Sequence, residues 1–250
     1  MKRPSAAASA SRSSPSSSSK RAAVVGDGAP TSRGGACVQI KALKGTIGMP
    51  RVGFGTYRFK NGTAQRAAAE AVKSGYRLLD TAYCYGGEKT EGELGAAIKA
   101  AASQGVPRSE LFVTTKHWRA FHGYAETCRC LDTSLNRLGL ACVDLYLIHW
   151  PGPAYTVMGK SKTVMEAWKR GETVSIVRKG HDRGSMKALR AETWRAMEDA
   201  LKLGKCRAIG VSNFTVAHLE ALKETATIWP PAVNQVQHES LVRRQRRRLF

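Results

Sequence analysis

Asp80, Tyr85, Lys116 and His149 are residues whose types could together protonate a developing alkoxide. A phenol is a weak acid with a pKa of about 10, and a neighbouring ammonium group stabilises the phenolate and lowers that pKa. We therefore predict that Lys116, kept charged by Asp80, allows Tyr85 to act as a general acid near neutral pH. The imidazole of His149 is suited to hydrogen-bond a substrate oxygen. The set fits the protonation of a carbonyl oxygen while a hydride reaches the carbonyl carbon.

The spacing of these residues predicts that they share one site. Asp80 and Lys116 are 36 positions apart, and Lys116 and His149 are 33 positions apart. Each interval has the length of one strand and one helix, and residues at the carboxyl ends of successive parallel strands lie on one rim. Any one of them alone is more typical of a helix cap, a turn or a solvated charge.

The elements that must position these residues alternate along the chain from Met49 onward. A short apolar segment, a polar turn and an amphipathic segment repeat, which predicts parallel strands with helical crossovers. The predicted strands are residues 51–55, 76–80, 112–116, 143–149, 208–212 and 232–237. The predicted helices are residues 64–74, 90–102, 125–138, 189–203 and 216–223.

Two α/β architectures share this alternation, an open doubly wound sheet and a (β/α)8 barrel. Gly53, Phe54 and Gly55 form only a fragment of a glycine-rich phosphate-binding fingerprint, and no helix follows at once. We therefore predict a (β/α)8 barrel, that is, a TIM barrel. The segments 37–44 and 46–50 are expected to form a hairpin that closes its floor.

The composition favours an anionic ligand. The chain carries 40 Lys and Arg against 19 Asp and Glu, a formal net charge of +21, which excludes an acidic solvating protein. No apolar segment reaches the roughly 18–20 residues of a membrane span.

Cys128 and Cys130 are two positions apart on a predicted helix and point to different sides, so no metal site is predicted. Cys84 adjoins Tyr85, and its side chain is expected to point away from the site.

Three segments lie apart from the barrel pattern. Residues 1–36 are rich in Ser and Ala, which indicates a disordered leader or an organelle transit peptide. The protein is accordingly expected in the cytoplasm, or in a chloroplast or mitochondrion if the leader is a transit peptide. Residues 154–187 carry eight basic and three acidic residues and are interpreted as a lid, a phosphate contact or a solvated insertion. Residues 241–250 form an arginine-rich tail of unclear origin.

Six segments, in order along the chain, resemble the aldo-keto reductase family. The resemblance runs from about Val38 to Glu239. The segments are residues 49–57 (MPRVGFGTY), 75–88 (GYRLLDTAYCYGGE), 114–118 (TTKHW), 145–151 (LYLIHWP), 210–214 (GVSNF) and 231–236 (PAVNQV). Two departures are Gly87, where the family commonly has Asn, and His117, where an apolar residue is usual.

The resemblance implies a (β/α)8 barrel that binds NADPH and reduces aldehydes or ketones to alcohols. It implies that Tyr85 is the proton donor, that Lys116 and Asp80 tune it, and that His149 orients the carbonyl. The residues implied to contact the cofactor are Thr56, Asp80, Ser212, Asn213 and Gln235, and those implied to line the substrate pocket are Tyr57, Trp118 and Trp150. A small carbonyl compound is the expected partner, and a folded chain is expected to be a monomer that binds neither nucleic acid nor membrane.

The resemblance leaves roughly 170 residues for barrel elements, enough for six strand–helix units rather than the eight of a full barrel. We therefore expect an incomplete barrel that lacks the last two units. Its open strand edges predict poor stability and weak or no NADPH binding. The alternative is a truncated, non-catalytic relative or an incomplete gene product, which binds nucleic acid or an import receptor through its basic tail.

Overall fold

The computed structural model describes residues 36–59, 62–152 and 185–237. Within them the strands are β1 Cys37–Lys41, β2 Thr46–Pro50, β3 Gly53–Gly55, β4 Leu78–Asp80, β5 Phe112–His117, β6 Val143–Ile148, β7 Cys206–Ser212 and β8 Asn234–Gln235. The α-helices are α1 Thr63–Lys73, α2 Thr90–Ser103, α3 Tyr124–Leu138, α4 Ser185–Lys202 and α5 Val216–Lys223. The predicted leader, the arginine-rich tail and most of the basic insertion lie outside the described residues.

Strands β3 to β8 form one parallel sheet in which the spatial order equals the order along the chain. Gly55 pairs with Asp80, Asp80 with Thr114, and Lys116 with Leu147. A doubly wound sheet reverses its strand order at a switch point, and no reversal occurs among the described strands. The predicted incomplete (β/α)8 barrel of six strands is confirmed.

Most predicted boundaries agree with the structure within two residues, but α4 begins at Ser185 rather than at residue 189, and β8 is shorter than predicted. The predicted strand 232–237 shortens to Asn234 and Gln235, which pair with Val211 and Ser212. Ala232 and Val233 still hydrogen-bond with β7, because the Ala232 N–H donates to the Ile209 carbonyl oxygen at 2.9 Å and the Val211 N–H donates to the Val233 carbonyl oxygen at 2.8 Å. The contact with β7 therefore begins at Ala232, directly after Pro231, which has no backbone N–H to donate.

The predicted floor hairpin is present. Strands β1 and β2 pair antiparallel, from Cys37 opposite Pro50 to Lys41 opposite Thr46. Ile40 of β1 packs in one buried cluster with side chains of three barrel strands, namely Phe112, Leu145, Leu147 and Ala208. The hairpin therefore covers the apolar lower interior of the barrel.

The two-residue period of a strand decides which side chains reach the interior. Phe112 of β5 packs in the interior cluster, whereas Val113 packs with Leu131 and Trp194 of the helical layer. Lys116 is four positions after Phe112, so it faces the interior at the carboxyl end of β5. His117 faces the helices, as Val113 does.

The helix-facing side of this rim holds two buried histidines. His117 Nε2 donates to the carbonyl oxygen of Phe121 at 2.9 Å, and His122 Nε2 lies 3.1 Å from the carbonyl oxygen of Trp150. His122 Nδ1 is 3.0 Å from the Thr193 hydroxyl, and the two imidazole centroids are 5.0 Å apart. Burial lowers the pKa of His117 to about 4 and that of His122 to about 3.

These two histidines predict loss of stability in mild acid. Because their pKa values are lower in the folded state, the unfolded chain binds more protons below pH 6.5, so unfolding becomes easier as the pH falls. Between pH 6.5 and about 4, the free energy of unfolding should fall by on the order of 3 kcal/mol for each histidine. Urea denaturation across this pH range measures the effect.

The variant His117→Leu should reduce this pH slope, because it removes one of the buried histidines whose pKa is lowered. His218→Gln is the comparison variant: His218 lies half-buried on α5, where burial also lowers its pKa, and its loss should reduce the slope less than the loss of the fully buried His117. An unchanged slope in His117→Leu would contradict the assignment.

Candidate functional site

The structure brings the predicted acid–base residues together at the carboxyl ends of β4, β5 and β6. Lys116 Nζ donates to Asp80 Oδ1 at 2.5 Å and lies 3.4 Å from the Tyr85 hydroxyl. The rings of Tyr85 and His149 lie with their centroids 5.7 Å apart. Residues from three consecutive strand ends therefore share one rim, as their spacing predicts.

Lys116 is the centre of this arrangement. Its side chain is 2% exposed, and its ammonium group also donates to the carbonyl oxygen of Thr81 at 2.9 Å. A buried ammonium group requires a counter-charge and hydrogen-bond acceptors to offset its lost hydration. Asp80, Thr81 and Tyr85 supply all three contacts, so the cation is held beside the phenol.

The predicted lowering of the Tyr85 pKa is wrong. Burial, followed by the negative charge of Asp80, raises the pKa of Tyr85 well above its ordinary value. Lys116 forms its short ion pair with Asp80 rather than with the phenol, so the carboxylate offsets its positive charge at Tyr85. Tyr85 is therefore a protonated phenol at neutral pH, which makes it a hydrogen-bond donor.

Two glycines set the turn that presents Tyr85. Gly86 and Gly87 adopt φ angles of 58° and 65°, in the left-handed region where glycine and asparagine are favoured. A Cβ atom at Gly86 would overlap the hydroxyl of Thr90, whereas Gly87 has open space around it. The φ angle at Gly87 explains why Gly can stand where the family commonly has Asn.

His149 is a neutral imidazole at this rim. Burial, and then the positive charges of Lys116 and Arg119, lower the pKa of His149 well below its ordinary value. The side-chain amide of Asn213 donates to the His149 carbonyl oxygen at 2.9 Å. The thiol of Cys84 lies 3.8 Å from His149 Nδ1, so the expectation that Cys84 points away from the site is wrong.

A second polar group lies at the ends of β7 and β8. The Ser212 hydroxyl donates to the Gln235 carbonyl oxygen at 2.7 Å and accepts from the Asn213 amide at 3.1 Å. The Gln235 side-chain amide donates to Asp80 Oδ2 at 3.1 Å. Asn213 has a φ of 60°, a left-handed backbone that asparagine tolerates better than most residues. These three predicted cofactor residues are therefore joined to the acid–base set through Asp80.

Thr56 has a different environment from the other predicted cofactor residues. It is fully buried, and its hydroxyl donates to the carbonyl oxygen of Asp80 at 3.0 Å. The structure therefore gives Thr56 a role in holding the end of β4. Its contact with a cofactor stays a prediction.

Aromatic side chains flank the rim. The Tyr57 ring lies 5.1 Å from that of Tyr85, and the rings of Trp118 and Trp150 lie 6.1 and 6.4 Å from that of His149. Tyr57 is 44% exposed and Trp150 is 40% exposed, so both present apolar surface beside the acid–base residues. This is the surface that the predicted substrate pocket requires.

Sequence reasoning missed Arg119, and it expected the side chain of Cys84 to point away from the site. The guanidinium of Arg119 lies over the rings of Trp118 and Trp150, at 5.2 and 5.9 Å from their centroids. Arg119 is next in the chain to Trp118, a predicted site residue, and this adjacency was the available signal for it. The adjacency of Cys84 to Tyr85 did not show which way the thiol points.

Residues 36–59, 62–152 and 185–237 contain neither a metal-ion cluster nor a membrane-spanning helix. No three His, Cys, Asp or Glu side chains there are grouped so that they could hold a metal ion. No helix in this described part is long and apolar enough to cross a membrane.

Many known proteins are similar to this chain in sequence. The chain is 38% identical to a glycerol 2-dehydrogenase (NADP(+)) of Saccharomyces cerevisiae, over 82% of this chain and 61% of that protein. It is 39% identical to a glyoxal reductase of Bacillus subtilis, over 82% of this chain and 60% of that protein. The chain thus spans about three fifths of the length of these curated relatives.

Solved structures show the same fold. An aldo/keto reductase from Brucella melitensis is 34% identical with a TM-score of 0.61, over 81% of this chain and 64% of that one. An aldo-keto reductase from Bombyx mori in complex with NADP is 31% identical with a TM-score of 0.59, over 85% of this chain and 64% of that one. The family model described as Aldo/keto reductase family matches residues 47–250. The chain belongs to the aldo/keto reductase family.

Proposed function

We propose that this chain carries the catalytic rim of an NADPH-dependent reductase that converts an aldehyde or ketone to an alcohol. The observation that carries the proposal is the Lys116 ammonium group, held between the Asp80 carboxylate at 2.5 Å and the Tyr85 hydroxyl at 3.4 Å. Relatives whose names are glyoxal reductase and D/L-glyceraldehyde reductase support a small carbonyl substrate.

Tyr85 is the proton donor in this proposal. Its raised pKa keeps the phenol protonated at neutral pH, so the proton is present when a carbonyl oxygen gains negative charge. Proton transfer leaves a phenolate, which the Lys116 ammonium group stabilises from 3.4 Å. Asp80 keeps that ammonium group charged within a buried site. Lys116 therefore acts on the phenolate that forms, rather than by ionising the phenol beforehand.

His149 orients the carbonyl. Its lowered pKa makes it a neutral ring at neutral pH, and a neutral imidazole has one N–H donor and one acceptor nitrogen. An N–H donor directed at the carbonyl oxygen polarises it without adding a full positive charge to the site. The exposed faces of Tyr57 and Trp150, together with Trp118, would bury the apolar part of the substrate.

The ends of β7 and β8 fit the nicotinamide end of the cofactor. Asn213 and Gln235 use their side-chain N–H groups within the protein, while their side-chain oxygens accept no hydrogen bond from any described residue. These two oxygens and the Ser212 hydroxyl can therefore bind the carboxamide of a nicotinamide. When bound, NADPH supplies the hydride. The net positive charge of the chain suits the phosphates of such a ligand.

Fluorescence titration with NADPH, and with NADH in parallel, tests the cofactor assignment on the purified chain. The open barrel predicts weak binding, so the titration extends to high NADPH concentration. Asn213→Gly should weaken NADPH binding by roughly 2- to 10-fold, because it removes the amide oxygen while glycine tolerates the φ of 60°.

The matched control is Asn136→Ala, which removes an exposed amide near the carboxyl end of α3 and should leave binding unchanged. Equal affinity in wild type and Asn213→Gly would contradict the assignment of Asn213. No binding by the folded wild-type chain would contradict the cofactor proposal and favour a non-catalytic relative.

A further inference from the structure

Cys84 and His149 meet at the catalytic rim although 65 positions separate them in the chain. Cys84 Sγ lies 3.8 Å from His149 Nδ1, within hydrogen-bond range for sulfur. Cys84 is also the residue before Tyr85, at the start of the turn that presents the phenol. One thiol therefore contacts the proposed carbonyl-orienting residue and is joined by a peptide bond to the proposed proton donor.

The protonation states decide the direction of this hydrogen bond. Burial raises the pKa of Cys84 to about 12, so the side chain is an S–H group at neutral pH. Burial also holds His149 neutral. The thiol is a weak donor and its sulfur a weak acceptor, whereas the unprotonated nitrogen of a neutral imidazole is a good acceptor. The favoured contact is therefore S–H donating to Nδ1.

This direction fixes the tautomer of the ring. If Nδ1 accepts, the ring proton lies on Nε2, since a neutral imidazole carries one N–H. No described residue forms a hydrogen bond with Nε2. The backbone of His149 is already fixed, because its N–H donates to the His117 carbonyl oxygen at 3.3 Å and its own carbonyl accepts from Asn213. The tautomer is the property of His149 that the Cys84 contact determines.

We propose that Cys84 is a positioning residue that selects the Nε2-protonated tautomer of His149 and so provides an N–H donor for the substrate carbonyl oxygen. Its effect on turnover rests on the function proposed above, whereas the tautomer is a property of the protein without ligands. This positioning role requires no covalent or redox step of the thiol.

Nitrogen-15 NMR of the histidine side chains tests the proposal directly. The His149 signals are assigned by their loss in His149→Gln. Near neutral pH, the wild-type chain should show an unprotonated Nδ1 and a proton-bearing Nε2. Cys84→Val keeps a side chain of similar size without a donor, so the two tautomers of His149 should become mixed. Cys84→Ser retains a donor and should restore the Nε2-protonated form.

The matched control is Cys142→Val, which removes a thiol at the opposite end of β6 from His149. The thiol of Cys142 contacts the carbonyl oxygen of Val143 at 3.2 Å, so its loss should not change the His149 signals. A proton on Nδ1 in the wild-type chain would overturn the proposal. An identical tautomer in wild type and Cys84→Val would overturn it equally.

Turnover provides a second readout that separates this proposal from the proposed function. Cys84→Val should lower kcat for carbonyl reduction by about 2- to 10-fold without changing KM for NADPH, and Cys84→Ser should recover most of the loss. An unchanged kcat together with a mixed tautomer would overturn the role of the tautomer in catalysis. If the NMR result holds while the wild-type chain reduces no carbonyl, the selection of the tautomer by Cys84 stands and the proposed function fails.

Discussion

Replacing Tyr85 with Phe should lower the rate of NADPH-dependent carbonyl reduction by about 100- to 10,000-fold, the range for loss of a general acid. The substitution removes the hydroxyl beside Lys116 Nζ and leaves the ring, so the contact with the Tyr57 ring at 5.1 Å is retained. The folded structure should therefore persist. The loss of NADPH absorbance in the presence of a small aldehyde measures the rate of reduction. Circular dichroism and urea denaturation show whether the fold is retained.

Tyr124→Phe is the matched control for this experiment. The Tyr124 hydroxyl donates to Asp199 at 2.9 Å between α3 and α4, away from the rim, so its removal should leave the rate of reduction unchanged. A Tyr85→Phe variant that keeps more than about a tenth of the wild-type rate would contradict the role of Tyr85 as the general acid.

Asp80→Asn should cost about 3–5 kcal/mol of the free energy of unfolding, because it leaves the ammonium group of Lys116 buried without its counter-charge. Lys116 is 2% exposed, whereas Asp80 is 18% exposed and keeps the hydrogen bond from Gln235. Lys116→Met should therefore cost less than Asp80→Asn. Urea denaturation at neutral pH measures both variants.

The double variant Asp80→Asn/Lys116→Met separates the charge effect from other losses. It removes both members of the ion pair, so it should be more stable than Asp80→Asn alone, since no unpaired charge stays buried. Equal stabilities of Asp80→Asn and the double variant would show that the buried ammonium group is not the source of the cost. Asp80→Asn and the double variant should also lose most of the reductase activity.

The sequence was sufficient to predict the rim because the order of parallel strands and the facing of their side chains follow regular patterns along the chain. The alternation of apolar and amphipathic segments gave the strand order, and the ends of β4, β5 and β6 then placed Asp80, Lys116 and His149 together. The period of two residues explains why Lys116 faces the interior and His117 the helices. These predictions depend on local patterns that are visible along the chain.

The sequence could not predict the protonation states. Neighbouring charges suggested a lowered pKa for Tyr85, whereas burial and Asp80 raise it. How deeply a side chain is buried depends on packing between distant segments, as does the ion pair that holds Lys116. The contact of Cys84 with His149 also depends on packing between distant segments, because it joins residues that follow two different strands.

Transfer of deuterium tests the central claim most directly. Excess folded chain, saturated with NADPH that carries deuterium at both C4 positions of the nicotinamide, is mixed with a small aldehyde such as glyceraldehyde, and the alcohol is analysed by mass spectrometry. We predict deuterium in the alcohol from the wild-type chain and at least about 100-fold less from Tyr85→Phe. An alcohol without deuterium, or equal labelling by both chains, would contradict carbonyl reduction at this rim.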